Sequence, residues 1–151
     1  MVDMSYERWY LLGKVREKLS VLDQRLNTLE NTIIRLQQYY NLLDKTVREM
    51  ESRQMMMARL TGQMPPDAPV VVAGVTLSID EALGRLDKLS ETLQKARDTL
   101  TDIKYSRLFY SRWLQEVTNI NERYAIDTLK MLLEEIDKDI RRIDTVMLYG
   151  W

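Results

Sequence analysis

Residues Leu12–Met50 read LGKVREKLSVLDQRLNTLENTIIRLQQYYNLLDKTVREM. Apolar side chains stand at Leu12, Val15, Leu19, Leu22, Leu26, Leu29, Ile33, Leu36, Tyr40, Leu43, Val47 and Met50, in steps that alternate three and four without a break. Gln54 and Met57 continue the phase. A 3.5-residue repeat held this long predicts a coiled-coil helix with Leu12 at a and Val15 at d. It should run from about Ser5 to Leu60, roughly 80 Å at 1.5 Å per residue.

Gly62 suits a left-handed C-terminal cap, and Pro65-Pro66 cannot continue a helix. The connector 61–77 holds Val70-Val71-Val72-Ala73-Gly74-Val75-Thr76-Leu77, β-branched residues around a glycine. Two readings stay open for it: a small β-hairpin, or an extended loop packed on the helix ends. Ser78-Ile79-Asp80-Glu81 then matches a capping box that starts a second helix over 78–148. Ile79, Ala82, Leu86, Leu89, Leu93 and Ala96 open its heptad register, which continues to Tyr124. The phase slips at 119–125, and a new run follows through Ile126, Leu129, Leu133, Ile136, Ile140, Ile143 and Met147. No Gly or Pro forces a stop there, so one continuous helix with a local distortion is expected, although Asn121 could cap a third helix.

The flanking charges bear on how the helices pair. Acidic Asp23, Glu30, Asp44 and Glu51 occupy e positions of the first helix, and basic Arg97 and Lys104 occupy e positions of the second. Antiparallel pairing brings e against e, acid against base. The expected register sets Asp44 near Arg97, Leu29 against Leu114 and Arg107 against Leu36. A parallel homodimer competes, since Lys18 with Asp23 and Arg25 with Glu30 would attract across it. The connector's length favours the intrachain pairing. The fold class is therefore all-α: a single elongated domain over residues 1–151, an antiparallel coiled-coil helical hairpin that associates into a multi-helix bundle.

Composition narrows the function. Lys and Arg number 22 against 23 Asp and Glu, so the basic excess of a nucleic-acid binder is lacking. No histidine and no cysteine occur, which removes the commonest general base and the commonest soft-metal ligands. There is no Gly-rich phosphate loop and no nucleophile elbow. Glu134, Glu135, Asp137 and Asp139 alternate with Lys138, Arg141 and Arg142, which reads as a solvated helix face with i,i+4 pairs and not as a cation site. The expectation is a non-enzyme with no catalytic, cofactor or metal residues, no small-molecule substrate, and no nucleic-acid or membrane partner. No secretory signal or membrane span is apparent. The expected location is intracellular and soluble (cytoplasmic), or within a viral particle.

Protein partners remain. Tyr105, Phe109, Trp113 and Ile120 form a stripe on the far side of the second helix from its seam, and Ile34, Tyr39 and Leu42 lie outside the seam of the first. Ile140, Ile143, Met147, Tyr149 and Trp151 lack a partner in a simple hairpin. Met55, Met56 and Met64 cluster with Met50 and Met57 at the connector end, and methionine suits surfaces that accept varied partners. Together these predict a structural or assembly protein, binding copies of itself or other subunits, as a cellular scaffold or a virion or phage component. Two helices joined by a β-rich connector also resemble a prefoldin subunit in outline. The residues Val71 to Leu89, with Gly74-Val75, Glu81-Ala82 and Leu86, are similar to the strand-to-helix re-entry of that family. The resemblance implies a second reading, a holdase that binds clients through the Met-rich end.

Overall fold

In the computed structural model, which describes residues 4–63 and 69–149, the chain is all-α with one small strand pair. Helix α1 spans Met4–Thr61, strands β1 and β2 span Val70–Val72 and Val75–Leu77, α2 spans Ile79–Glu116 and α3 spans Glu122–Tyr149. A 3-10 turn, Val117–Asn119, lies between α2 and α3. The chain forms two compact units, one from Met1–Asn31 with Lys95–Trp151 and one from Thr32–Gln94.

The continuous second helix expected from the sequence is broken. Its backbone turns extended at Ile120 (φ −111°, ψ 165°), and Asn121 caps α3 by accepting a 2.9 Å hydrogen bond from the Arg123 N–H. No glycine or proline makes this corner. Arg8, 109 residues away, donates a 3.2 Å hydrogen bond to the Val117 carbonyl, and Ser5 donates a 2.8 Å bond to Glu122. The stop is tertiary in origin, which is why local sequence gave only the Asn121 cue.

Within the first unit the interhelical ion pairs state the topology. Asp23–Arg107 (2.7 Å) and Glu30–Lys104 (3.4 Å) join α1 to α2 with numbers running in opposite senses. Glu7–Lys130, Lys18–Asp137 and Arg25–Asp144 join α1 to α3 with numbers rising together. Asp102–Arg142 ties α2 to α3. So α2 runs antiparallel to α1, and α3 doubles back to run parallel to it. The acid-on-α1, base-on-α2 pattern operates, but in a different register. Arg107 meets Asp23 instead of facing Leu36. In the second unit Ala82 and Leu86 at the start of α2 pack against Leu43 and Val47, so α2 begins well before the end of α1. These pairs are largely exposed and worth about 0.2–1 kcal/mol each, so they select register more than they add stability.

Stability comes from what the three helices bury. Val15, Leu22 and Leu29 of α1, Ile103 of α2 and Leu129, Ile136 and Ile143 of α3 are fully enclosed. At the start of α1 the stripe shifts by one residue: Leu11 is buried and Leu12 half-buried. α3 also buries Ala125, Leu132 and Val146 beside Ile126 and Leu129. That is a wider face than a single seam, as a helix touching two neighbours requires.

In the second unit the connector forms the hairpin, paired Val70↔Leu77, Val71↔Thr76 and Val72↔Val75. Ala73 and Gly74 both have positive φ (51° and 77°), which gives a two-residue turn of type I′. Two three-residue strands alone are marginal. Val70, Val72 and Leu77 are held because they pack with Leu43 and Val47 of α1 and with Ala82 and Leu86 of α2. The helix ends behave as the sequence indicates. Gly62, at φ 70°, donates to the Ala58 carbonyl at 2.8 Å, and Ser78 accepts from the Glu81 N–H at 3.1 Å. Ala73 is the one strained residue of the turn. Ala73→Asn, which tolerates the left-handed region, is expected to stabilise the protein by roughly 0.5–1 kcal/mol. Thermal unfolding checks this.

Candidate functional site

The residues singled out as contacts fall into three groups. Tyr105, Phe109, Trp113 and Ile120 are 64, 42, 40 and 38% exposed, and Leu108 beside them is 70% exposed. Ile103 and Tyr110 turn into the core at heptad spacing, so residues two places on from each point away from it. Tyr105 and Phe109 pack edge to face at 5.2 Å, which stiffens the outer face of α2.

The C-terminal group is placed differently from expectation. Ile143 is wholly buried, and Ile140 and Met147 are half-buried, within the first unit. Ile143 is enclosed between the Asp102–Arg142 and Arg25–Asp144 pairs, which tie this part of α3 to α2 and α1. The missing intrachain partner inferred for Ile143 does not apply, while Ile140 and Met147 keep part of their surface exposed. Leu148 remains 73% exposed, while the side chain of Tyr149, together with Trp151, lies outside the described residues. At the end of α1, Met55, Met56 and Met57 are 56, 64 and 48% exposed with Leu60 at 77%, and Met64 lies outside the described residues. Ile34 and Leu42 are exposed, whereas Tyr39 is half-buried and its hydroxyl accepts a 3.3 Å bond from Arg85.

One exposed group escaped the sequence reading. Tyr6, Trp9 and Tyr10 on the outer face of α1 are 64, 69 and 49% exposed. With Gly13 they stand at i, i+3, i+4 and i+7, a helical stripe of its own phase. That spacing was the available signal, but it lies ahead of the long heptad run and out of step with it.

The acidic run on α3 is also not a purely solvated face. Asp137 pairs with Lys18 at 3.0 Å, and Lys138 pairs with Glu135 at 3.2 Å, in place of the expected i,i+4 partners. Asp139 accepts a hydrogen bond from the Tyr110 hydroxyl in the interface of α2 and α3. Burial pushes the Asp139 carboxyl above the usual carboxylate range; the Tyr110 bond opposes this, Glu135 adds to it and Arg142 opposes it. Burial also pushes the Tyr110 phenol up, reinforced by Asp139.

A carboxyl whose folded pKa is raised contributes stability that is present below its unfolded pKa, ~3.9, and is lost as pH rises through the folded value. Asp139→Asn keeps an acceptor for Tyr110 and removes this dependence. The variant is expected to gain on the wild type between pH 3.5 and 7, as read by urea midpoints at the two pH values. An equal midpoint difference at both would show that burial does not control this carboxyl.

Among the described residues, no three His, Cys, Asp or Glu come together to hold a metal ion, and no helix is long and apolar enough to cross a membrane. No buried side-chain polar atom among them lacks a hydrogen-bond partner. The surface depressions formed by the described residues are shallow; one is lined by Trp9, Gly13 and Glu17 of α1 and another by Tyr105, Leu108 and Arg112 of α2. Compared with protein-family models, with curated proteins and with solved structures, the chain has no match.

Proposed function

We propose that this chain is a non-enzymatic assembly subunit, built on an antiparallel coiled-coil hairpin, that binds copies of itself or bridges other subunits of a larger complex. The complex is a cellular scaffold or a virus or phage particle. One observation carries the reading. The outer face of α2 presents Tyr105, Leu108, Phe109 and Trp113 together to solvent, although the same helix fills its core with Ala96, Ile103 and Tyr110. Aromatic residues with a neighbouring Arg are the composition of the energetic centre of protein interfaces. The coiled-coil element rests on the seven-residue spacing of Val15, Leu22 and Leu29 on α1 and of Ala96, Ile103 and Tyr110 on α2, all buried. The native mass of the purified protein, with identification of what co-purifies, tests it. A species larger than one chain, or a stoichiometric companion, is expected. A lone monomer at all concentrations would contradict it.

A second reading is favoured by Met55, Met56, Met57 and Leu60, which leave the last turns of α1 apolar and exposed. In this reading the chain is a prefoldin-like holdase that takes unfolded clients on that end. Replacing Met55, Met56 and Met57 with Gln is then expected to abolish suppression of client aggregation without loss of helicity.

A further inference from the structure

Gly13 sits mid-helix on α1, and a Cβ built there meets nothing within 4 Å. Trp9, Tyr10, Arg16 and Glu17 stand around it and line a depression of about 410 Å³. Tyr6, Tyr10, Gly13 and Glu17 follow one another in steps of four, three and four. All four are exposed, on the opposite side of the helix from buried Leu11 and Val15. That is the spacing of a coiled-coil seam, placed on an open face. We propose that this face joins two copies of the chain, their α1 helices antiparallel about a two-fold axis between Leu11 and Leu12, with Tyr10 of each copy over Gly13 of the other. This rests on the assembly reading and names its contact.

Spacing and charge favour a second copy as the occupant. With Tyr10 opposite Gly13 in an antiparallel pair, Tyr6 falls opposite Glu17, and its phenol donates a hydrogen bond to that carboxylate. The two-fold brings each flank of the seam against the same flank of the other copy. Arg16 lies on the flank toward α2, beside Ser111 and Gln115, and Trp9 is seven residues back on the same flank. The guanidinium of one copy therefore meets the indole of the other. Glu7 and Lys14 share the flank toward α3, where Glu7 already reaches Lys130 at 3.5 Å, and acid meets base. Arg16 has no ion-pair partner among the described residues. Each contact occurs twice, and none of these pairs sets like charges together. Glycine weakens a helix interior, but here it lets the two backbones approach closely. The area is also sufficient. Tyr6, Trp9 and Tyr10 of the two copies together expose roughly 700 Å². That matches the apolar share of an interface of about 1,200 Å², the lower end for stable complexes. The contact is isologous and closes at two copies, which leaves the outer face of α2 to join such dimers or to take another subunit.

The test mixes full chains carrying Glu7→Cys with full chains carrying Lys14→Cys and adds a short bismaleimide. Each chain then holds a single cysteine, so any linked product joins two copies. The Glu7→Cys chain is expected to link to the Lys14→Cys chain and far less to itself, since two Glu7 positions stand nine residues, about 13 Å, apart along the axes. Adding Gly13→Gln to both chains is expected to abolish the product. Circular dichroism is expected to show no loss of helix in that variant, because glutamine is the better helix former and has open space there. Absence of the link in a protein that sediments as more than one chain would overturn this contact and leave the assembly reading to another surface. A link that persists with Gly13→Gln would overturn the seating of Tyr10 on Gly13. A wild type that is monomeric and without a companion would overturn both proposals. Binding of the wild type to phosphatidylcholine vesicles, lost in Trp9→Glu, with no link between copies, would assign the face to a lipid surface and overturn the proposal.

Discussion

Ending the chain after Asp139 is expected to destabilise the first unit by roughly 3–6 kcal/mol. The truncation removes Ile143, fully enclosed, and Val146, 7% exposed. Each large apolar side chain buried on folding contributes about 1.5–3 kcal/mol. Half-buried Ile140 and Met147 go with them, as do the Arg25–Asp144 and Asp102–Arg142 pairs. Against a total stability of about 5–15 kcal/mol this is a large fraction, so the truncated protein should unfold at far lower urea. If α3 were an exposed assembly element, the same truncation would leave the melt unchanged and lower only the native mass. An unchanged urea midpoint would therefore contradict the fold-back.

Ile136→Ala is expected to cost about 2–5 kcal/mol, the range for deleting a fully buried aliphatic side chain and leaving a cavity. Tyr105→Ala, at a residue 64% exposed, is expected to change stability by no more than about 0.5 kcal/mol while weakening self-association. The pair separates folding from assembly. Thermal melts read the first and native mass the second. A large loss of stability in Tyr105→Ala would move that residue into the core and remove the basis for an aromatic docking face.

What the sequence disclosed depended on whether the information was local. The stripe from Val15 to Ile33, with Leu43 and Val47, is buried as its heptad spacing predicts, because each residue's phase follows from its neighbours. Gly62 and Ser78 cap their helices for reasons contained in a few residues. The outward placement of Tyr105, Phe109 and Trp113 followed from the same phase. The break after Glu116 did not follow, since its supports, Arg8 and Ser5, come from the far end of the chain. Without that corner Ile143 looks unpartnered, while the register of α2 follows from the packing of Ala82 and Leu86 on Leu43 and Val47, which the charge pattern does not disclose. The hairpin was undecidable locally because Val70, Val72 and Leu77 are fixed by Leu43 and Val47 of α1.

The fold-back of α3 onto α1 is the claim on which this account turns, because it decides which apolar faces remain for partners. The chain has no cysteine, so introduced pairs report cleanly. Cysteines at Lys18 and Asp137, which form a 3.0 Å ion pair, are expected to link within one chain under a short bismaleimide at high dilution. Cysteines at Tyr6 and Asp137 are not, since Tyr6 lies twelve residues, about 18 Å, further along α1. Efficient linkage of Tyr6 to Asp137 without linkage of Lys18 would restore the continuous second helix and contradict the three-helix unit.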